Sequence, residues 1–159
     1  MTNDQYIEKF DEARERAEIF YKALEKVRCP YLQSDVYFNA SGLEHLKFKA
    51  HARARNRHDQ YMRFKLLHLA PEVLKLSRTV QGISHTKHFE RARVHSRTDT
   101  ILKPVSYYEF IAVIGSARVK VVIKQIEDGQ SFFWSLIPFW GIDTATKRRR
   151  LFAGDPEHD

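Results

Sequence analysis

Seven cationic side chains crowd one short stretch of the chain: Lys47, Lys49, Arg53, Arg55, Arg57, Arg63 and Lys65, set against a single acid, Asp59. His45, His51 and His58 are interleaved with them, and Phe48 and Tyr61 stand close by. Guanidinium forks match phosphate oxygens, and aromatic faces stack on unpaired bases. One-sided charge repels itself, so the cluster points to a polyanionic partner, with a plain solvated face as the alternative. Lys47, Arg53, Arg55, Arg57, His58 and Tyr61 are therefore candidate RNA contacts.

His45 and Lys49 are four residues apart, on one face if the segment is helical. A nearby ammonium disfavours imidazolium and keeps the ring neutral at pH 7, the form a general base needs. A structural or surface histidine is the competing reading. In the strand-like run FFWSLIPFW, residues 132–140, Trp134 and Ser135 should point to opposite sides of a sheet. If Ser135 faces the cations, its hydroxyl can hold a phosphate oxygen. Trp140, past the strand end, is a candidate stacking platform or lid, and the aromatics of this run are otherwise core. Arg91, Arg93, His95 and Arg97 share one face of a regular strand and would form the second wall of an anionic groove, or an exposed strand with no such role.

Other chemistry lacks its residues. The chain has no HExxH, CxxC, Walker lysine loop or GxGxxG, so neither a metal nor a nucleotide cofactor is expected. Cys29 is the one cysteine, which leaves no intramolecular disulfide and no metal-ligand spacing.

The elements that must position these groups follow from periodicity. Residues 3–28 repeat apolar positions at three- and four-residue steps and predict one amphipathic helix stopped by Pro30, its stripe packed on its own domain or on a partner. Residues 35–39 read as a short strand. Ser41 with Glu44 has the form of a capping box, which starts a helix carrying His45. Residues 50–57 read as a loop or a poorly packed helix start, and a helix resumes at Asp59, with Pro71 kinking it or starting another. Residues 80–95, 105–114, 117–126 and 131–138 read as strands, with turn signals at Gly115-Ser116 and Asp128-Gly129. The expectation is an α+β domain: N-terminal helices, then an antiparallel four-stranded meander.

The 159 residues suit one domain, expected over 1–140: an N-terminal helical segment, 1–30, and a core over 35–140. Residues 141–159, with KRRR and the acidic GDPEHD, read as a solvated tail. The formal charge of +7 favours nucleic acid or an anionic membrane surface as partner. A charged start without an apolar run excludes a signal peptide, and no stretch suits a spanning helix, so a cytoplasmic location without membrane attachment is expected.

A short strand, a helix of the form GLEHL, a second helix and then a meander resemble the barnase–EndoU–colicin–RelE superfold of ribonucleases, nearest its phage, plasmid and RelE-like toxin members. The resemblance covers about residues 35–140. It implies a RelE/barnase-like fold and metal-independent RNA cleavage, in which the ribose 2′-hydroxyl attacks the adjacent phosphorus. It places the histidine at His45, the central cations among Lys47, Lys49, Arg57 or Arg63, and the polar residue of the last strand at Ser135. It leaves the general acid unassigned. It also implies RNA, in some members ribosome-associated, as partner, and a cognate antitoxin or immunity protein as a second. Three readings remain: a toxin-type endoribonuclease with His45, Lys49, Arg63 and Ser135 as catalytic groups, a non-catalytic RNA- or DNA-binding or regulatory module, and an accessory protein docking an acidic partner.

Overall fold

The computed structural model describes residues 2–49, 53–138, 145 and 155–159. The element order is α1 (Asn3–Leu24), β1 (Lys26–Cys29), β2 (Ser34–Tyr37), α2 (Ala40–Lys47), α3 (Arg57–Leu66), α4 (Leu69–Leu76), β3 (Gly82–Val94), β4 (Arg97–Ile114), β5 (Ala117–Ile126) and β6 (Phe132–Pro138). The α+β class is as expected, but the sheet is not a four-stranded antiparallel meander. It has six strands in the order β1-β2-β6-β5-β4-β3, and β2 runs parallel to β6.

Of the two strands beyond the expected four, β2 is the short strand expected at 35–39, and β1 comes from the end of the first apolar repeat. Thr2 caps α1 through a box with Gln5, and Phe10, Ala17 and Tyr21 bury its inner face. The helix stops at Leu24, not near residue 28. Glu25 takes a positive φ of 53°, and KVRC continues as β1, with Val27 and Cys29 buried and Lys26 and Arg28 exposed. That two-residue alternation overrides the helical repeat because β2 lies alongside to pair with it. The apolar stripe of α1 packs on its own domain, with Phe10 edge-on to Phe64 of α3 at 6.0 Å.

Asn39, not Ser41, caps α2: its side chain accepts from the Gly42 N–H at 3.2 Å. Gly42 is required by proximity. A Cβ there would lie 2.3 Å from the Phe133 carbonyl oxygen and 2.5 Å from the Tyr21 hydroxyl. The glycine lets α2 rest directly on β6, which brings His45 over that strand. Asn56 caps α3, which begins at Arg57, two residues before the expected start. Pro71 stands in the first turn of α4, where a missing N–H leaves no intrahelical bond unmade.

β3 and β4 form one long hairpin closed by His95 and Ser96, whose φ angles are 48° and 68°. Both central residues take the left-handed region of a type I′ turn. β5 pairs with β4 only from Val105 onward, so the tip of the hairpin is a two-stranded arm.

The two faces of the sheet differ. One carries Val36, Phe110, Val121, Ile123, Phe133 and Leu136 into the main core, together with Leu46, Phe64, Leu67 and Leu74 from the helices. The other holds a small cluster, Val105, Tyr107 and Val122, together with buried Glu109, Lys120, Lys124 and Ser135. Among the described residues no helix is long and apolar enough to cross a membrane, which says nothing of spanning by strands.

Candidate functional site

The site forms where α2, α3 and the end of β6 meet the polar face of the sheet. β2 pairs with β6 only at Tyr37 and Phe132, so along the rest of β6 that edge has no neighbouring strand among the described residues. Arg63 fills the position. Its Nη1 donates to the Ser135 hydroxyl at 2.7 Å and to the Leu136 carbonyl at 3.1 Å, while its Nε donates to Asp59 at 2.9 Å. Asp59 lies one turn before Arg63 on α3, and its other oxygen faces Arg55 Nη1 at 3.6 Å. One carboxylate thus orients two buried guanidinium groups.

A register shift in β6 sets the rest. Val122 pairs with Ser135 and Ile123 with Phe133, leaving Trp134 as the extra residue of a bulge. Strict alternation therefore fails: Trp134 and Ser135 both reach the same segment, 155–159, instead of opposite sides of the sheet. His45 stacks on the Trp134 ring with centroids 4.1 Å apart. Its Nε2–H donates to the Glu157 carbonyl at 2.8 Å, which leaves Nδ1 as the acceptor. Arg55 locks the other side, its Nε donating to the His45 carbonyl at 2.9 Å and its Nη2 standing 3.5 Å from Nδ1.

Residues 155–159, expected in solvent with the rest of the tail, line this pocket. The Asp159 main-chain oxygen accepts from Arg55 Nη2 at 2.8 Å, Ser135 Oγ at 3.0 Å and Arg63 Nη1 at 3.4 Å. The Glu157 carbonyl also accepts from the Trp134 indole N–H at 3.1 Å. The Glu157 carboxyl meets Lys124 Nζ at 3.0 Å and the Tyr107 hydroxyl. Lys124 pairs with Glu90 as well, and lies 4.2 Å from the Trp134 ring centroid. Lys120 pairs with Glu109 at 2.9 Å and faces Asp159 at 3.8 Å. The loss of hydration explains the docking: a buried cation without an anion beside it costs several kcal/mol, on the order of the attraction its partner restores.

Burial sets the protonation states. His45 is pushed down to about 3, first by burial and then by the charges of Arg55 and Arg63. The expected direction holds, but Lys49 is not its cause. Lys49 lies beyond the end of α2 and is exposed. Glu157 moves the other way, up to about 8, because burial and the nearby Glu90 both oppose its charge. At neutral pH its contact with Lys124 is therefore mainly a hydrogen bond to a protonated carboxyl.

Beside the pocket lies an open cleft of about 630 Å³, lined by Phe48, Phe89, Phe132 and Trp134 and also by exposed Lys49 and buried Lys124. The cleft and the buried cations meet at His45.

Of the residues singled out from the sequence, His45, Arg55, Arg63 and Ser135 converge, and Lys49 stands at the cleft. The others disperse. Lys47 is held by Glu18 of α1 at 2.6 Å. Arg57 stacks over Phe10 at 5.2 Å, and Tyr61 packs by Tyr6 at 6.1 Å, both toward α1. Arg53 and His58 are exposed. Arg91 and Arg93 are exposed on the hairpin arm and neither lines the cleft, where Phe89 and Glu90 form the wall from that strand. The turn at His95 places Arg97 on β4, so the four residues do not share one strand face. Trp140 lies outside the described residues. Lys120, Lys124, Trp134, Asp59, Glu157 and Asp159 complete the site. Lys120 and Lys124 were visible as same-face polar positions in ARVKVVIKQI. Nothing in GDPEHD marks it as anything but a solvated end.

Among the described residues no group of three or more His, Cys, Asp or Glu side chains could hold a metal ion. Comparison of the chain with protein-family models, with curated proteins and with solved structures gave no match.

Proposed function

We propose that the protein binds single-stranded RNA in the aromatic cleft and cleaves it as a metal-independent endoribonuclease of the toxin type. The observation that carries this is the position of His45, stacked on Trp134 where buried cations meet an open aromatic cleft. Aromatic walls suit unpaired bases, and the guanidinium groups suit the phosphate between them. RNA brings its own nucleophile, so the protein must supply only a base, an acid and stabilisation of the crowded phosphate. Neutral His45 takes the 2′-hydroxyl proton as the 2′-oxygen bonds to phosphorus; the P–O5′ bond breaks, and the 5′-oxygen leaves with a proton from solvent, giving a 2′,3′-cyclic phosphate. Arg55, Arg63 and Ser135 hold the phosphoryl oxygens as negative charge builds. The same chemistry is what the sequence resemblance to the barnase–EndoU–colicin–RelE superfold implies.

One observation favours a second reading, a non-catalytic RNA-binding module. A ring held at about 3 is a poor proton acceptor while residues 155–159 cover it. Incubating RNA with the protein in EDTA separates the two. The ribonuclease reading expects cutting that His45→Ala abolishes while RNA binding persists. Intact RNA across naked and ribosome-bound substrates, with salt-dependent binding, selects the binding module.

A further inference from the structure

We infer that Arg55 Nη2, Arg63 Nη1 and Ser135 Oγ form a subsite for a phosphoryl oxygen of RNA, and that residues 155–159 are its built-in competitor. This deepens the RNA-binding reading and rests on it. The three donors converge on one acceptor, the Asp159 main-chain oxygen, at 2.8, 3.4 and 3.0 Å. Three donors around one oxygen, two of them cationic, make a cradle that fits an anionic oxygen. The next carbonyl of the segment to enter the site, that of Glu157, takes the His45 and Trp134 N–H groups. The segment thus occupies in turn the cationic pocket and the stacked His45–Trp134 pair, the two places a nucleotide would use.

Its fit is imperfect in a way that favours exchange. Asp159 Oδ2 is buried with no hydrogen-bond partner among the described residues, and it faces Lys120 only at 3.8 Å. Glu157 is buried, and the nearby Glu90 opposes its ionisation. Every polar contact just named at the subsite is made through a main-chain oxygen, and a phosphate oxygen can replace each without moving the donors. A strand entering along the cleft meets Glu157 first, because Glu157 lines both the cleft and the pocket.

The test uses the full chain and a short single-stranded oligodeoxynucleotide. It lacks the 2′-hydroxyl, so it reports on the subsite without being cut. Glu157→Lys with Asp159→Lys sets like charges against Lys124 and Lys120 and should free the pocket. The charge-matched control is Glu8→Lys with Glu15→Lys, at exposed positions of α1. The site variant should bind about tenfold or more tightly than the control, as when a competitor is removed from a mostly occupied site. Glu157→Ala with Asp159→Ala should shift affinity the same way, and serves if the lysine variant does not fold. In the wild type, oligonucleotide binding should move the Trp134 indole N–H resonance, identified by its loss in Trp134→Phe. Equal affinity of site variant and control, or binding without that movement, overturns the inference. Tighter binding with RNA left uncut upholds it and removes the ribonuclease reading. RNA cut equally by wild type and variant, with affinity unchanged, upholds that reading and removes the inference.

Discussion

The two faces of the sheet are buried by opposite means. On one, the four helices lay leucine, valine and phenylalanine side chains over Val121, Ile123, Phe133 and Leu136. On the other, Lys120, Lys124, Glu109 and Ser135 are as buried as the core but are matched by charge and hydrogen bonding, much of it from residues 155–159. The apolar face holds through area, which is non-directional and tolerates repacking. The polar face holds only while each partner is present. The fold is therefore built on the first, and the candidate site lies on the second, since groups that exchange partners are the ones a ligand can address.

The largest effect should come from breaking a buried pair. Lys120→Met leaves Glu109 without its cation and should cost about 3–5 kcal/mol in denaturant unfolding, whereas Lys120→Met with Glu109→Met should recover most of it. If the double variant is no better than the single, the pair is not what holds that face. On the apolar face, Leu46→Ala should cost about 3 kcal/mol and should leave oligonucleotide affinity per folded molecule unchanged. A change in affinity there would blur the distinction between the faces.

A smaller effect concerns acid. His45 is held below its ordinary value of 6.5, so the stability it contributes is fully present above 6.5 and is lost as pH falls toward about 3. By pH 5 the loss is about 2 kcal/mol, at 1.36 kcal/mol per pH unit below 6.5. Glu157 has the opposite sign: raised to about 8, its contribution is full below its ordinary value and is lost as pH rises through 8. The difference between wild type and His45→Gln in unfolding free energy against pH isolates the histidine. A difference that stays flat between pH 7 and 5 would show that His45 is not held neutral by its surroundings.

Legibility in the sequence followed the same division. Leu43, Leu46, Phe64 and Leu67 announced their helices by spacing, and the alternation in ARVKVVIKQI announced β5, because apolar burial leaves a periodic trace. Lys47 and Arg57 sat in the same basic run as Arg55 and Arg63, yet two point toward α1 and two into the site. Only tertiary placement separates them, since a charge does not reveal its partner. Val27 reads as the last position of the helical repeat, and the alternation in KVRC is too short to tell from it until β2 pairs alongside. The bulge at Trp134 depends on the facing strand, and the docking of residues 155–159 depends on cations far away in sequence, so neither leaves a local signal.

The central claim is that His45, with the cations around it, cuts RNA through the ribose 2′-hydroxyl. The most direct test is the chemistry of the product end, measured by mass spectrometry after incubation of single-stranded RNA in EDTA with the Glu157→Lys, Asp159→Lys variant and with the same variant carrying His45→Ala. The account predicts 2′,3′-cyclic phosphate ends from the first and intact RNA from the second. Intact RNA from both, or ends that are the same with and without His45, would contradict it.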